Sequence, residues 1–220
     1  MLIHITRHGQ PTAKGLPPGT DHEYPPGDPV LSVLGRRQAG WLGKRLAGGD
    51  FRGSIFSSPY RRALETASVI AEATSLTVTP EPALQEYVPI AGTPTFDGLQ
   101  ADDMARLYER VKLPRALPYP WFVSGPETDV DVQDRIRPFI EKLLASDSGD
   151  ALLVGHGASV HACIAVMGGT KREEDPFNWN CSLTTFEIVS AQNARRVRHF
   201  DTTHIPPRSV TSNALYAHTC

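Results

Sequence analysis

Short apolar runs recur along the chain and predict the strands of a sheet. Four of them are clear: Leu2–Thr6, Ser54–Ser57, Ala151–Val154 and Leu183–Val189. Prolines interrupt a fifth, weaker run over Thr77–Leu84. The run Ala151–Val154 is apolar at every position, which is typical of a strand that is buried on both faces.

Between these runs, apolar residues recur at helical spacing. This pattern predicts helices over Leu34–Ala47, Pro59–Ala73, Val132–Leu143 and Ser159–Met167. Ser32 is suited to the N-cap of the first helix. In the second helix, Ser58 fits the N-cap and Pro59 the first helical position, where its missing N–H costs nothing.

Strands that alternate with helices in this way predict an α/β fold. We expect a three-layer sandwich, in which helices flank a mostly parallel central sheet. The proline-rich region 87–127 interrupts the alternation and contains Trp121-Phe122. We therefore expect a single domain over residues 1–220, with the insertion 87–127 as a lid that covers the site. Gln10–Pro29, also rich in proline and glycine, is predicted to be a loop.

Composition narrows the classes of function. Hydrophobic residues make up 40% of the 220 residues, charged residues 21%, and the formal net charge is −2, as in an ordinary globular protein. Without a basic run or a long apolar stretch, we expect neither a nucleic-acid partner nor a membrane partner. The cysteines Cys163, Cys181 and Cys220 are odd in number and form no C-x-x-C pair. This favours a reducing compartment and a cytoplasmic location.

Polar side chains follow the predicted strands at the points where the strands end. Arg7-His8-Gly9 follows the first strand, and Arg61 comes soon after the second. Glu86 follows the third and His156 the apolar run at Ala151–Val154. Because ligands of open α/β sheets bind at the carboxyl ends of the strands, these side chains are expected at one edge of the sheet.

These residue types together suit phosphate chemistry. Arginine forks match phosphate oxygens, and an arginine in the first turn of a helix is favoured there when an anion is bound. A neutral imidazole can attack phosphorus and carry the phosphoryl group, which makes His8 a candidate nucleophile. Glu86 can donate a proton to the leaving oxygen. Arg62, the neighbour of Arg61, is assigned to solvent or to an ion pair.

In this order the residues resemble the histidine phosphatase (phosphoglycerate-mutase-like) superfamily. The similar segments are Arg7-His8-Gly9, Asp28 with Leu31-Ser32 and Gly35, Ser57-Ser58-Pro59-Tyr60-Arg61-Arg62-Ala63, Val154-Gly155-His156-Gly157 and Asn180-Cys181-Ser182. The resemblance implies that His8 is phosphorylated and that Arg7, Arg61 and His156 form the phosphate pocket. It also implies Glu86 as the proton donor, and neither a metal nor another cofactor.

The chain departs from the family pattern at two places. Glu86 is followed by Tyr87-Val88-Pro89 rather than by a Trp-Glu-Gly-like stretch. The position seven residues after Arg7, often an asparagine in the family, holds Lys14. A lysine at this position can supply charge instead of an amide contact, or it can face solvent.

The leading hypothesis is a metal-independent phosphatase that acts on a small phosphorylated metabolite through a phosphohistidine on His8. A phosphoglycerate-type mutase is the alternative enzyme, although the chain lacks the long basic insertion that we associate with those mutases. The alternative from another class is a non-catalytic phospho-ligand-binding protein of the same fold. The intact set Arg7, His8, Arg61 and His156 argues against it. The oligomeric state is left open, with a homodimer among the possibilities.

Overall fold

The computed structural model describes residues 1–12, 28–87, 98–123, 125–146, 149–168, 178–190 and 193–212. Six strands form one sheet: β1 (Leu2–Arg7), β2 (Ser54–Ser57), β3 (Val78–Pro80), β4 (Ala151–Gly155), β5 (Leu183–Ser190) and β6 (Asn193–Asp201). Their order across the sheet is β3-β2-β4-β1-β5-β6.

The direction of the strands brings four carboxyl ends to the same edge of the sheet. β4 is parallel to both β1 and β2, and β2 is parallel to β3. β5 runs antiparallel to β1, and β6 runs antiparallel to β5. The prediction of a mostly parallel sheet is therefore confirmed. In the register, Arg7 pairs with Gly155 and Ser57 with Val154, so the three central strands end side by side.

Helices cover both faces of the sheet. They are α1 (Val33–Gly48), α2 (Arg61–Thr74), α3 (Ala101–Leu107), α4 (Asp129–Ala145) and α5 (Gly157–Val166). One buried cluster joins apolar residues of α1 and α2 to Ile55, Leu152 and Val154. A second buried cluster joins apolar residues of α4 and α5 to Ile5 of β1 and Leu153 of β4. Leu153 lies between the two β4 residues of the first cluster and faces the other side of the sheet. Because successive strand residues face opposite sides, the two clusters form the two cores of a three-layer sandwich, as predicted.

The start of α1 agrees with the sequence analysis, and the start of α2 does not. Ser32 is the N-cap of α1, and its Oγ accepts a hydrogen bond from the Gly35 amide at 3.0 Å. The prediction of Ser58 as an N-cap and Pro59 as the first helical residue is wrong, because α2 begins at Arg61. The Ser58 hydroxyl instead lies 2.8 Å from Nε2 of His156.

The described part of the insertion packs into the first core. Met104 and Trp121 are buried there, and the Trp121 indole donates to the Leu99 carbonyl at 2.8 Å. Val111 forms a bridge beside Val78, so this segment continues the sheet past the edge strand β3. Its role as a lid stays a prediction. Residues 88–97 and Lys14 lie outside the described residues.

Two further features differ from or extend the sequence analysis. The run Thr77–Leu84 forms only the short strand β3, followed by a 3₁₀ turn at Pro82–Leu84. The strand β6 was not predicted at all.

Cys163 and Cys181 are buried and free. Within the described ranges, no helix is long and apolar enough to cross a membrane.

Candidate active site

His8 and His156 lie next to each other because they follow paired residues of β1 and β4. The His8 amide donates to the Gly155 carbonyl at 2.9 Å, which continues the ladder by one residue. The two imidazole rings are 5.1 Å apart between centroids and meet edge to face. Both side chains are buried. The expected meeting of the two histidines is therefore present.

The hydrogen bonds of His8 define which nitrogen can react. Its Nδ1 lies 2.7 Å from the Gly9 carbonyl oxygen. Because a carbonyl oxygen can only accept, the hydrogen resides on Nδ1, and Nε2 keeps its lone pair. Burial, assisted by the charges of Arg62 and Arg7, holds the pKa of His8 well below its usual range. The imidazole is therefore neutral, the form that a nucleophile needs.

Arg62 is the arginine that contacts the unprotonated nitrogen of His8. Its Nε donates to Nε2 of His8 at 3.2 Å, and its guanidinium carbon lies 4.6 Å from the centre of the Tyr60 ring. The side chain is buried. Of the two alternatives predicted for Arg62, solvent is wrong, because the side chain is buried, and the ion pair is present, with Asp28. The contact of Arg62 with His8 was not predicted.

Arg61 and Arg62 both lie near the carboxylate of Asp28. Oδ1 of Asp28 accepts from the Arg61 backbone amide at 2.9 Å, at the start of α2. Nε of Arg61 is 3.7 Å from Oδ2, and Nη1 of Arg62 is 3.8 Å from Oδ1. Burial raises the pKa of Asp28 to about 6. The described geometry thus places Arg61 beside Asp28, and its part in phosphate binding stays a prediction.

His156 is held from two sides. Its Nε2 is 2.8 Å from Oγ of Ser58, and its ring meets the Tyr60 ring edge to face at 5.0 Å. Burial, followed by the charge of Arg62, holds the pKa of His156 well below its usual range. A second neutral imidazole therefore stands beside the first.

The remaining predicted residues lie at the same edge of the sheet. Nη1 of Arg7 donates to the Asn178 carbonyl at 2.8 Å, and the side chain is buried. Oε1 of Glu86 accepts from the amides of Tyr87 at 3.0 Å and Ala158 at 3.2 Å. Ala158 belongs to the first turn of α5, immediately after His156 and Gly157. The carboxylate of Glu86 is thus anchored next to the second histidine.

The loop after β1 is braced by polar groups from two other segments. The amide of Asn180 donates to the His8 carbonyl at 2.9 Å. The Gly9 amide donates to Oγ1 of Thr66 at 3.0 Å, and this hydroxyl donates to the Arg62 carbonyl at 2.7 Å. The loop that carries His8 and the turn that carries Arg62 are therefore linked through the Thr66 side chain.

Chemically, the site combines a neutral imidazole with cationic donors. The guanidinium groups of Arg7 and Arg62 and the amino end of α5 favour a bound anion. The unprotonated Nε2 of His8 can attack such an anion. Within the described residues, no group of three or more His, Cys, Asp or Glu side chains is arranged to hold a metal ion.

Comparison with protein families gives a match over nearly the whole chain. The model of the histidine phosphatase superfamily (branch 1) matches residues 3–201. Among curated proteins, the chain is similar to Uncharacterized protein Rv0525 of Mycobacterium tuberculosis, with 27% identity over 184 residues. The match covers 83% of this chain and 86% of that protein.

Solved structures show the same fold. Ecdysone phosphate phosphatase from Bombix mori, in complex with tungstate, is 15% identical with a TM-score of 0.72, covering 90% of this chain and 92% of that one. The mycobacterial glucosyl-3-phosphoglycerate phosphatase Rv2419c is 25% identical with a TM-score of 0.60, covering 91% of this chain and 98% of that one.

Proposed function

Because the chain belongs to branch 1 of the histidine phosphatase superfamily, we propose that it hydrolyses a small phosphorylated metabolite through a phosphohistidine on His8. The observation that carries this proposal is the state of His8. Its Nδ1 hydrogen is directed to the Gly9 carbonyl, and its neutral Nε2 lies beside the Arg62 guanidinium. The phosphatases among the structural neighbours support the same class of reaction.

In the proposed first step, Nε2 of His8 attacks phosphorus, and the bond from phosphorus to the ester oxygen breaks. Arg7, Arg62 and His156 bind the equatorial oxygens, on which the transition-state charge resides. Arg61, predicted for this pocket, adds charge from its position beside Asp28. Glu86 gives its proton to the leaving oxygen, so the alcohol departs neutral.

In the second step, the Glu86 carboxylate takes a proton from water while the water oxygen attacks phosphorus. The bond between phosphorus and Nε2 breaks, inorganic phosphate leaves, and Glu86 is protonated again. Because Oε1 of Glu86 is occupied by the two backbone amides, the proton transfer is assigned to Oε2. No step uses a metal ion.

The test is phosphate release from p-nitrophenyl phosphate and from a panel of metabolite phosphoesters, measured in EDTA. Wild type should turn over, and His8→Ala should lose activity by several orders of magnitude, because the nucleophile is gone. His199→Ala, which changes a histidine on β6, is the matched control and should stay active. The trapped intermediate should be labile in acid and stable in alkali, as a phosphohistidine is.

Other results would identify the alternatives. Isomerisation of 3-phosphoglycerate that is faster than phosphate release would favour the mutase. Phosphoester binding without turnover of any ester would favour the non-catalytic binding protein. An adduct that is stable in acid and labile in alkali would contradict His8 as the nucleophile.

A further inference from the structure

The loop that carries Glu86 is held by an arginine of α4, the helix that packs in the same buried cluster as Leu84. Nη1 of Arg135, on α4, donates to the Ala83 carbonyl at 2.6 Å and to the Gln85 carbonyl at 3.3 Å. These two carbonyls belong to the middle residue of the 3₁₀ turn Pro82–Leu84 and to the residue that directly precedes Glu86. One guanidinium nitrogen thus fixes the backbone from which the Glu86 side chain projects.

The same guanidinium is fixed by a second, charged contact. Nε and Nη2 of Arg135 donate to the two carboxylate oxygens of Glu127 at 2.8 Å and 3.1 Å. The side chain of Glu127 is only 5% exposed and that of Arg135 is 14% exposed. A two-point pair of this kind fixes the plane of the guanidinium as well as its position. Nη1 is thereby directed at the loop.

The loop is constrained on its other side as well. Oε1 of Gln85 accepts from the Val123 amide at 3.1 Å, and the side chain of Gln85 is buried. Oε1 of Glu86 is held by the Ala158 amide of α5. The position of the Glu86 carboxyl group therefore depends on the position of the Gln85 backbone. Arg135 holds that backbone through its hydrogen bond to the Gln85 carbonyl.

We propose that Arg135, oriented by Glu127, is a positioning residue that places the Glu86 carboxyl for proton transfer to the leaving group. The inference rests on the proposed function, in which Glu86 is the proton donor. Arg135 touches the backbone on which Glu86 is mounted, and it acts on the reaction through that residue. Its loss should therefore impair proton donation more than phosphate binding or nucleophilic attack.

The test compares two esters of similar shape that differ in their need for a proton. p-Nitrophenolate leaves readily without protonation, whereas the phenolate of phenyl phosphate is a poorer leaving group. We expect Arg135→Met to lower kcat/KM about tenfold to a hundredfold for phenyl phosphate and less than about threefold for p-nitrophenyl phosphate. The quantity to use is kcat/KM, because it reports the step in which the ester bond breaks.

Three further variants complete the design. Arg137→Met changes an exposed arginine of the same helix and should leave both values as in wild type. Arg135→Met combined with Glu127→Gln leaves no unpaired buried carboxylate, so it separates the effect on the loop from a failure to fold. In a protein that already carries Glu86→Gln, Arg135→Met should lower kcat/KM for phenyl phosphate only a little further, because the carboxyl group that Arg135 positions is already absent.

The possible results are distinct. A selective loss for phenyl phosphate, absent on the Glu86→Gln background, supports the inference. An equal loss for both esters in the folded single and double variants contradicts it and leaves the proposed function standing. No turnover of either ester by wild type contradicts the proposed function, and the inference fails with it.

Discussion

At the scale of single residues, Nε2 of His8, the nitrogen that we propose to react, accepts a hydrogen bond from Arg62. In the structure, the guanidinium donates to the Nε2 lone pair at 3.2 Å. A phosphate dianion is a stronger acceptor for a guanidinium than a neutral imidazole, because the hydrogen bond is then between opposite charges. In the proposed mechanism, the arriving substrate would draw Arg62 onto its oxygens and expose the lone pair. The same side chain would then protect His8 at rest and bind the phosphate during the reaction.

The neighbouring arginines provide a direct test of this role. We expect Arg62→Met to lower kcat/KM by about 100- to 1,000-fold, because a charged donor to the developing oxyanion is removed. Arg61→Met, which removes an equal charge one residue away, should lower kcat/KM much less, because the hydrogen bond to Nε2 of His8 comes from Arg62. Steady-state kinetics with p-nitrophenyl phosphate measure both. A loss of kcat/KM in Arg61→Met as large as that in Arg62→Met would show that Arg61 contributes equally to the pocket.

Asp28 gives a prediction for stability against pH. Burial raises its pKa from 3.8 to about 6 in the folded protein. Because the folded state binds this proton more tightly than the unfolded state, the protonated Asp28 favours folding, and this contribution is lost as the pH rises from about 4 through about 6. Asp28→Asn should therefore raise the free energy of unfolding by up to about 3 kcal/mol near pH 8 and have little effect near pH 4.

The measurement is urea unfolding of wild type and Asp28→Asn at several pH values. The difference between the two proteins is the quantity to follow, because the titrations of His8 and His156 are common to both and cancel. A difference that does not change between about pH 4 and about pH 8 would contradict the raised pKa of Asp28.

The residues of the site differ in how far sequence can predict them. His8 and His156 follow strands, and parallel strands end at one edge, so their meeting was predictable. Arg61 and Arg62 are neighbours at the start of α2, and successive helix residues point about 100° apart around the axis. Which of the two faces His8 depends on how α2 is rotated against the sheet, and packing sets that rotation. Asp28 and Ser58 act through contacts with distant parts of the chain, which local pattern does not reveal.

At the scale of elements, the loop after β1 and the start of α1 approach without space for side chains. A Cβ on Gly9 would lie 2.5 Å from the Gly35 carbonyl oxygen. A Cβ on Gly35 would lie 2.1 Å from the Gln10 carbonyl oxygen. Gln10 also accepts through its Oε1 a hydrogen bond from the N-cap Ser32. The helix α1 thus supports the loop that presents His8, and glycine is required at the contact.

Two glycines of α1 form a matched pair for this contact. Gly35→Ala should reduce the free energy of unfolding by about 1–3 kcal/mol, because the Gln10 backbone must move, and should lower kcat/KM through the His8 loop. A Cβ on Gly40 would meet no atom within 4 Å. Gly40→Ala should therefore stabilise by about 0.5–1 kcal/mol, from helix propensity, with unchanged kinetics. Chemical denaturation and kcat/KM test both, and an undiminished stability of Gly35→Ala would contradict the close approach.

Elements were predictable where local signals agree with packing. The apolar run of β4 and the Ser32 cap of α1 are such cases. The strand β6 contains Arg195, Arg196 and Arg198 and lies at the edge of the sheet, where its side chains are partly or fully exposed. A strand of this kind lacks the apolar alternation that predicts strands, because most of its stability comes from pairing with β5.

At the scale of the whole molecule, the site exists because β4 lies between β2 and β1 in the sheet, although it follows both by a long stretch of chain. This order brings residues 8, 58 and 156 together from three separate parts of the sequence. The family resemblance predicted that these residues meet. The order of the strands, by contrast, depends on the packing of the helices on both faces of the sheet. The described part of the insertion strengthens one of these cores.

An anion bound at this convergence should stabilise the whole fold, because its ligands come from segments that separate on unfolding. Inorganic phosphate at about 100 times its dissociation constant should add about 2.7 kcal/mol to the free energy of unfolding. For a chain of this length, that corresponds to a rise in Tm of roughly 5–10 °C. Thermal unfolding at constant ionic strength measures it. Arg62→Met should lose most of the rise, whereas Arg137→Met, which changes an exposed arginine of α4, should keep it. Equal rises in both variants would show that phosphate binds elsewhere on the protein.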